Sequence, residues 1–437
     1  MVLDVNSGSV HLVEKLAYDL LDFYGELGLK DITTNLKEFY DEEEIKEAFS
    51  EIEILVDDGM LFSDDEDMSD LKYNDDNIVK AMCLHIAHDC NLKCEYCFAS
   101  QGNFKGERSM MSLETGKKSL LYLAKNSGNR RNLEVDFFGG EPLMNFQIVK
   151  QLVDYGRSIE NEYNKNFRFT ITTNGVLLDD EKINYINENM DNVVLSLDGR
   201  KDVNDTMRLT LSGDGSYDVI LPKIKKMVEK RGEKDYYVRG TFTSKNLDFG
   251  KDALSFHKEG FKKVSIEPVV APEEMDYAIR EEHLATILKE YENFSKEYIK
   301  LTHDDKDFMF FHFMIDLNQG PCAVKRAVGC GAGSEYLAVT PEGDLYPCHQ
   351  FVGEKEFLLG TLDKGIENEE LRDRFKAANV YNKEECRNCW ARFYCSGGCH
   401  ANAHYAHGDI MRPYEIGCEM EKKRIECALS ILANQED

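Results

Sequence analysis

The stretch KAMCLHIAHDCNLKCEYCF, residues 80–98, decides the fold. Its first half, 80–87, is a short apolar run with the length of a buried strand. Cys90, Cys94 and Cys97 follow directly, with the spacing C-x3-C-x2-C. The sequence therefore predicts a strand that delivers three thiols on a tight loop at its carboxyl end.

Strand and helix patterns alternate beyond this stretch. Six segments read as strands: 80–87, 133–138, 167–173, 192–197, 236–243 and 263–270. Helical periodicity fills the intervals 112–125, 146–162, 179–189, 216–230 and 246–259, and a further helix is expected over 273–300. The alternation predicts a parallel α/β sheet with crossover helices, a partial (β/α)6 barrel that falls two repeats short of a closed eight-fold barrel.

Composition limits the class of protein. The 437 residues are 42% hydrophobic and 31% charged, which is typical of folded domains rather than of a disordered chain. The net charge of −28 repels phosphate backbones and anionic lipid surfaces, so we expect no nucleic-acid and no membrane partner. The chain also lacks a long apolar run and a secretory signal pattern, so we expect a cytoplasmic protein.

The chain divides into three expected domains. Residues 1–77 combine a strand-like VLDVNSG, helices around 12–24 and 41–58, a short apolar GMLF at 59–62 and an acidic linker. This order is winged-helix-like in outline. Residues 78–300 form the expected partial barrel, and residues 301–437 form a bridging region followed by a cysteine-rich domain.

The thirteen cysteines fall into two groups, separated by more than 200 residues. In a reducing compartment, closely spaced thiols indicate metal or cluster ligands more than disulfides. Three thiolates on one loop can hold three irons of a cubane and leave the fourth iron open for chemistry. A zinc site completed by His85 or His88 is the alternative.

The loop motif, with Tyr96 as the aromatic residue before Cys97, resembles that of the radical S-adenosylmethionine (SAM) enzymes. A second segment, FFGGEPLMN at 137–145, follows the second predicted strand. Its residues Gly139, Gly140, Glu141 and Pro142 match the family segment that lies against the methionyl amino group of SAM. The resemblance implies a [4Fe–4S] cluster on Cys90, Cys94 and Cys97, with SAM bound beside it.

Polar residues after two further strands resemble other SAM contacts of the family. Asn174 lies in TTNG, Ser196 and Asp198 lie in LSLDG, and Arg208 follows twelve residues after Ser196. They resemble the family's ribose and carboxylate contacts. For Asn174 a turn leading into a helix is an equal alternative, and for Arg208 the alternative is a surface salt bridge.

The second cysteine group resembles the SPASM domain, which carries two auxiliary [4Fe–4S] clusters. The resemblance assigns one cluster to Cys330, Cys348 and Cys399 and the other to Cys386, Cys389, Cys395 and Cys418. Cys322 is either the fourth ligand of the first set or absent from it, which leaves an open iron. A zinc ribbon at 386–399 is the alternative. His400, His404 and His407 could suggest a further metal site, but we expect them to form a solvated helix face.

Taken over the whole chain, the resemblance is to thioether-forming maturases of SCIFF peptides, a class of sactipeptide-like, ribosomally made products. It implies an oxidoreductase that joins a cysteine sulfur to a carbon radical in a cysteine-rich precursor. The leader would add a strand to an edge at 59–62, and a flavodoxin or ferredoxin would donate electrons. The alternatives are an anaerobic sulfatase maturase that makes formylglycine and an iron–sulfur electron-transfer protein.

Overall fold

The computed structural model describes residues 1–65, 76–317 and 326–434. The first of these ranges forms a small module. Its elements are β1 (Val2–Leu3), β2 (Val10–His11), α1 (Lys15–Leu21), α2 (Leu29–Leu36) and α3 (Glu42–Asp57). The strands pair antiparallel, and the module has a core of its own, formed by Leu20, Ile32, Leu36, Ile45, Ile52 and Leu61.

Two details of this module differ from the sequence prediction. Helix α2 was not expected, although Leu29, Ile32 and Leu36 repeat at i, i+3 and i+7 over its eight residues. The expected strand at 59–62 is wrong, since these residues form a turn that ends α3. Gly59 and Phe62 have positive φ values of 67° and 50°, and the amides of Met60 and Leu61 both donate to the carbonyl of Leu55. The unpaired carbonyl groups at the end of a helix accept hydrogen bonds from such amides. The amides of Met60 and Leu61 are therefore not available to pair with an added strand.

The six predicted strands are confirmed as one contiguous parallel block. The barrel region contains β3 (Ala81–Ala87), β4 (Leu92–Cys94), α4 (Leu113–Asn126), β5 (Asn132–Gly139), α5 (Phe146–Tyr163), β6 (Asn166–Thr173), α6 (Asp180–Asn189), β7 (Asn192–Ser196), α7 (Lys201–Met207), β8 (Arg208–Thr210), α8 (Tyr217–Arg231), β9 (Tyr237–Phe242), α9 (Phe249–Lys258), β10 (Lys263–Pro268), α10 (Glu281–Asp304) and β11 (Met309–Phe310). Helices α4 and α6 begin where predicted because Ser112 and Asp179 cap them, each accepting a backbone amide.

The C-terminal region extends the same sheet. Its elements are β12 (Tyr336–Val339), β13 (Asp344–Tyr346), β14 (Gly360–Thr361), β15 (Gly365–Ile366), α11 (Glu369–Ala377), α12 (Glu384–Arg387), α13 (Arg392–Cys395), α14 (His400–His407) and α15 (Glu415–Ala433). The order across the described part of the sheet is β11-β10-β9-β7-β6-β5-β3-β12-β13-β14-β15, and the block from β11 to β12 is parallel. Strands β11 and β12 were missed because two to four residues carry no readable periodicity.

One face of the sheet packs against helices, and the side chains on the other face are only half-buried. Leu133, Val135 and Phe137 of β5 are buried, and Phe137 stacks on Phe169 of β6 with ring centroids 5.5 Å apart. Phe169 in turn contacts Gly156 of α5, so this face packs against the helices. Half-buried side chains alternate with the buried ones along the same strands. The opposite face therefore remains accessible inside the curved sheet.

The N-terminal module contacts the C-terminal region through the turn between β1 and β2. Asn6 accepts a hydrogen bond of 2.6 Å from Nη2 of Arg392, and Gly8 accepts one of 3.4 Å from the hydroxyl of Tyr394. Val5 packs on a small apolar cluster that includes Cys386 and Phe393.

None of the helices in the described ranges combines the length and apolar character needed to cross a bilayer.

Candidate functional site

The first three cysteines meet at one cavity at the carboxyl ends of the strands. Cys90, Cys94 and Cys97 line it together with the predicted residues Tyr96, Gly139, Gly140, Asn174, Ser196 and Arg208. Within the cysteine loop, β4 pairs antiparallel with β8, which places Cys94 opposite Arg208. The amide of Cys97 donates to the carbonyl of Cys94 at 3.3 Å, which closes the loop into a turn.

Gly139 and Gly140 hold this loop against the sheet. The amide of Gly140 donates to Ala87 at 2.7 Å, and the next amide, of Glu141, donates to Asp89 at 2.9 Å. A Cβ atom on Gly140 would lie 2.1 Å from the carbonyl oxygen of Asp89, and one on Gly139 would lie 2.3 Å from that of Ala87. The glycines were predicted to permit close approach of the backbone to a ligand. In the structure they permit approach to the cysteine loop itself.

Glu141 is fully buried, and its carboxylate is engaged by the chain. One oxygen accepts from the amide of Leu143 (3.0 Å) and the hydroxyl of Thr173 (2.8 Å), and the other accepts from the amide of Asn174 (2.8 Å). Burial raises the pKa of Glu141 to about 7, although these hydrogen bonds act to lower it. Neither Glu141 nor Pro142 is among the described residues that line the cavity. The carboxylate holds the loop of Asn174 in place, and the assignment of Glu141 and Pro142 to the SAM site remains a prediction.

Tyr96, Asp198 and Arg208 form a buried polar group behind the cysteines. The hydroxyl of Tyr96 donates to Asp198 at 2.6 Å and accepts from Nη1 of Arg208 at 2.9 Å. Asp198 also accepts a hydrogen bond from the amide of Thr241 at 3.0 Å, and it is not among the described residues that line the cavity. Its contact with SAM remains a prediction. Arg208 is only 7% exposed, so the surface salt-bridge alternative is wrong.

The Nε of Arg208 is a buried donor that has no hydrogen-bond partner among the described residues. Arg208 nevertheless lines the cavity. Burial works against its charge, yet the negative charges of Tyr96, Cys94 and Asp198 hold its pKa well above the ordinary value. A permanently charged guanidinium with a free donor is suited to bind a carboxylate.

Asn174 forms the turn that was one of its two sequence alternatives, and its contact with SAM remains a prediction. Its side-chain oxygen accepts from the amide of Val176 at 3.0 Å, which stabilises the turn. Its Nδ2 donates to Asn91 at 2.7 Å and lies 3.7 Å from Sγ of Cys90. The turn therefore aims the amide group at the cysteine loop. Ser196 ends β7 at the same cavity.

Several lining residues were not predicted. Phe138 and Thr172 lie at the carboxyl ends of β5 and β6, on the half-buried positions of each strand, so strand alternation could have identified them. Gly102 could not be identified from sequence. Its φ is 100°, and a Cβ atom there would lie 2.8 Å from that of Cys90.

The second cysteine group separates into two sets. Cys386, Cys389, Cys395 and Cys418 line a single cavity of about 370 Å³, which also includes Trp390 and Arg392. They are brought together by α12, α13 and α15, and the amide of Cys389 donates to the carbonyl of Cys386 at 3.0 Å. Burial raises the pKa of Cys395 to about 12 and that of Cys418 to about 11, and neighbouring thiols of the set add to both shifts.

Cys330, Cys348 and Cys399 form the other set. Burial raises the pKa of Cys348 well above its usual value, and the negative charges of Cys330 and Cys399 raise it further. Cys322 lies outside the described residues. The two remaining cysteines, Cys83 and Cys427, are buried in the core, as the sequence indicated.

The three histidines of α14 do not form a solvated face. His400 is buried against Phe375, and burial lowers its pKa to about 3. His404 packs edge-on against Phe357, and His407 bonds to Glu415 at 2.7 Å. The prediction of a solvated face is wrong because α14 docks on an aromatic cluster.

The thiol sets fit iron–sulfur clusters better than single ions. Across the part of the chain that the structure describes, no three His, Cys, Asp or Glu side chains lie close enough to share one metal ion. A cubane, by contrast, spreads its thiolates over separate irons. Arg208, whose buried Nε has no hydrogen-bond partner among the described residues, lines the same cavity as the first set.

Two family models match the chain. The model of the radical SAM superfamily matches residues 84–243, and that of the SPASM iron–sulfur cluster-binding domain matches residues 330–390. An uncharacterised protein of Methanocaldococcus jannaschii is 31% identical over 72% of this chain and 96% of its own length. A cysteine-type anaerobic sulfatase-maturating enzyme of Clostridium novyi is 25% identical over 72% of this chain and 86% of its own length.

Solved structures share the fold. Native anSMEcpe with bound AdoMet has a TM-score of 0.67 at 20% identity, covering 81% of this chain and 98% of its own. Streptococcus suis SuiB bound to S-adenosylmethionine has a TM-score of 0.53 at 16% identity, covering 92% of both chains. SuiB bound to its precursor peptide SuiA covers 93% of both, with a TM-score of 0.51 at 15% identity. Together with the thiol geometry, these matches show that the chain belongs to the radical SAM superfamily, as a SPASM-domain enzyme that binds SAM at a [4Fe–4S] cluster and carries auxiliary iron–sulfur clusters.

Proposed function

We propose that this enzyme matures a ribosomally made, cysteine-rich precursor peptide by forming Cys-to-carbon thioether cross-links. One observation carries the proposal: the fold likeness to SuiB spans 92% of this chain, whereas the likeness to anSMEcpe spans 81%. The difference of 11% corresponds to about 48 of the 437 residues, which is of the order of the 65 described residues of the N-terminal module. A sulfatase maturase does not need such a module, but an enzyme that recognises a leader peptide does.

We assign the first site as follows. Cys90, Cys94 and Cys97 hold the catalytic cluster, and Arg208 binds the carboxylate of SAM with its free Nε. When bound, the reduced cluster and SAM supply a 5′-deoxyadenosyl radical that abstracts a hydrogen atom from the substrate. Ser196 and Asn174 line the cavity where the cofactor's polar groups would lie.

The protein's own contribution is to keep this site rigid. Tyr96 bonds to the guanidinium of Arg208 and is itself held by Asp198, which is buried. Glu141 fixes the backbone at Asn174, and the paired glycines fix the cysteine loop. Such fixed polar groups position a cofactor without rearrangement and exclude water from a reactive site.

The auxiliary clusters are assigned to the two thiol sets of the C-terminal region, with Cys322 a predicted fourth ligand of the set that contains Cys330. Replacing a C–H and an S–H bond by one C–S bond removes two electrons and two protons. The deoxyadenosyl radical takes one hydrogen atom and the thiol loses a proton, so an auxiliary cluster would have to accept the one remaining electron. The predicted domain limits, 1–77, 78–300 and 301–437, accord with this division of tasks. A flavodoxin or ferredoxin donor and a cytoplasmic location remain predictions.

The test is anaerobic incubation of the reconstituted, reduced enzyme with SAM and a cysteine-rich precursor peptide, read by mass spectrometry. Loss of two hydrogens for each cross-link, with a matching loss of alkylatable thiols, would support the proposal. Deoxyadenosine without any change in the peptide would reject that peptide. Absence of deoxyadenosine would favour the third alternative, an iron–sulfur electron-transfer protein.

Formylglycine formation is the second candidate, favoured by the 25% identity to the Clostridium novyi sulfatase-maturating enzyme. The same reaction mixture, given a peptide with a sulfatase-type cysteine, distinguishes the two activities. A sulfatase maturase would replace the thiol with an aldehyde that a hydrazide probe detects. A thioether maturase would leave the peptide free of aldehyde.

The N-terminal module is our proposed winged-helix-like leader-binding unit. It exposes several apolar side chains, including Phe39 at 76% and Ile54 of α3 at 60%. We expect Ile54→Ser to weaken binding of a fluorescent leader peptide, measured by anisotropy. The matched control is Val219→Ser, an exposed apolar residue on α8 of the barrel. Equal leader affinity in the two variants would contradict the assignment.

A further inference from the structure

We propose that Lys383 is a shared counter-cation of both auxiliary clusters and raises their reduction potentials. Lys383 lies just before α12 and is 1% exposed. Its Nζ donates to the carbonyl of Gly397 at 2.7 Å. A lysine ammonium is rarely buried without a negatively charged partner, so its position requires an explanation.

The ammonium contacts the segment that joins one thiol set to the other. Gly397 separates Cys395, a member of one set, from Cys399, a member of the other. Electrostatic interaction reaches Cys386, Cys395 and Cys418 on one side and Cys399 on the other. Lys383 also carries the peptide carbonyl that accepts the amide of Cys386 at 3.1 Å. The side chain and the backbone of one residue thus contact the segments that hold both sets.

No carboxylate of the described residues forms an ion pair with this ammonium. Asp409 lies within electrostatic range, but its carboxylate pairs with Arg374 at 2.8 Å and accepts the amide of Met411. The thiolates are therefore the main negative charges that face Lys383. Burial lowers the pKa of the lysine, and the same thiolates act to raise it.

The consequence for the clusters follows from charge. A [4Fe–4S] cluster on thiolates is anionic, and reduction adds one more negative charge. A fixed cation in a region of low dielectric stabilises the reduced form more than the oxidised form, so the potential rises. Because Lys383 faces both sets, one residue would raise both potentials together.

This inference rests on the auxiliary assignment of the proposed function, but its test does not use peptide turnover. The variants are Lys383→Gln, which removes the charge and keeps a donor for the Gly397 carbonyl, and Lys383→Arg, which keeps the charge. The matched control is Lys165→Gln in the barrel. Lys165 is likewise buried and donates to two backbone carbonyls, at 2.6 and 2.8 Å, but is not near the thiol sets.

The measurement is a redox titration followed by electron paramagnetic resonance (EPR), with iron content determined for each protein. We expect Lys383→Gln to lower the reduced-to-oxidised ratio of the auxiliary clusters about tenfold at the wild-type midpoint, which is about 59 mV for a one-electron couple. Lys383→Arg and Lys165→Gln should keep the wild-type potentials. The potential of the cluster on Cys90, Cys94 and Cys97 should not change.

Unchanged auxiliary potentials in fully loaded Lys383→Gln would overturn the inference, and so would equal shifts in the Gln and Arg variants. If Lys383→Gln loses iron from the auxiliary sites while Lys383→Arg keeps it, the charge itself is required and the inference is supported. If the wild-type enzyme binds iron for one cluster only, the auxiliary assignment fails instead. Iron content therefore separates the two failures.

Discussion

Gly140→Ala should displace the cysteine loop and weaken cluster binding. The new Cβ would lie 2.1 Å from the carbonyl oxygen of Asp89, where an ordinary contact is at least 3.4 Å. The obstacle is backbone, so Asp89 and the adjoining Cys90 must move by about 1 Å or more. That shift disturbs the bond between the amide of Glu141 and the Asp89 carbonyl.

The cost can be worked out from these contacts. Overpacking of a tight site costs roughly 1–3 kcal/mol, and one lost backbone hydrogen bond costs roughly 0.5–1.5 kcal/mol. A loop without a cluster can relax and avoid this cost. The cost therefore applies to the cluster-bound state, in which Cys90, Cys94 and Cys97 must converge. A penalty of about 2–4 kcal/mol corresponds to a loss of affinity of about thirty-fold or more.

The assay is anaerobic reconstitution at limiting iron, followed by iron analysis and EPR with and without SAM. Gly106→Ala is the matched control, because its Cβ would meet only the carbonyl of Asn103, at 3.5 Å. We expect Gly140→Ala to lose one cluster's iron and the SAM-induced change in the EPR signal, with the auxiliary signals retained. If Gly140→Ala matched Gly106→Ala in both readouts, the role assigned to the glycine pair would be refuted.

Three further outcomes are expected. Cys418→Ser should lower the iron content by up to about four atoms per chain and keep the SAM-responsive EPR signal. Cys427→Ser, at a buried core cysteine, should keep all the iron. Equal iron content in the two variants would contradict the assigned ligand set. Arg208→Lys should weaken SAM binding, measured by calorimetry, by about tenfold to a hundredfold, because it loses a charged hydrogen bond worth roughly 1.5–3 kcal/mol. Arg168→Lys, at an exposed arginine, should bind SAM as tightly as the wild type. Unchanged SAM affinity in Arg208→Lys would count against its role in binding the carboxylate. Phe137→Ala removes a fully buried ring that stacks on Phe169 of the neighbouring strand. It should lower the free energy of unfolding, measured with denaturant, by about 3–5 kcal/mol. A decrease below about 1 kcal/mol would show that the core collapses around the cavity.

The sequence alone determined the features that depend on local pattern or on the chemistry of a residue type. Strand β5 and helix α5 were located because apolar residues repeat at the period of each element, and the start of α4 was located because Ser112 is a capping residue. The cysteine spacings predicted cluster ligands because they resemble the radical SAM and SPASM motifs, which lie on short stretches of sequence. These signals lie within segments of a few residues and do not need the rest of the fold.

The tertiary structure decided which of these residues face a ligand and which hold another residue in place. Glu141 meets the amide of Asn174, thirty-three positions away, and Tyr96 meets Asp198, one hundred and two positions away. Lys383 carries no sequence signal at all, and it acquires its meaning only because Gly397 and both thiol sets surround it. Contacts of this kind depend on the path of the whole chain, because a side chain's role is set by the neighbours that folding brings to it.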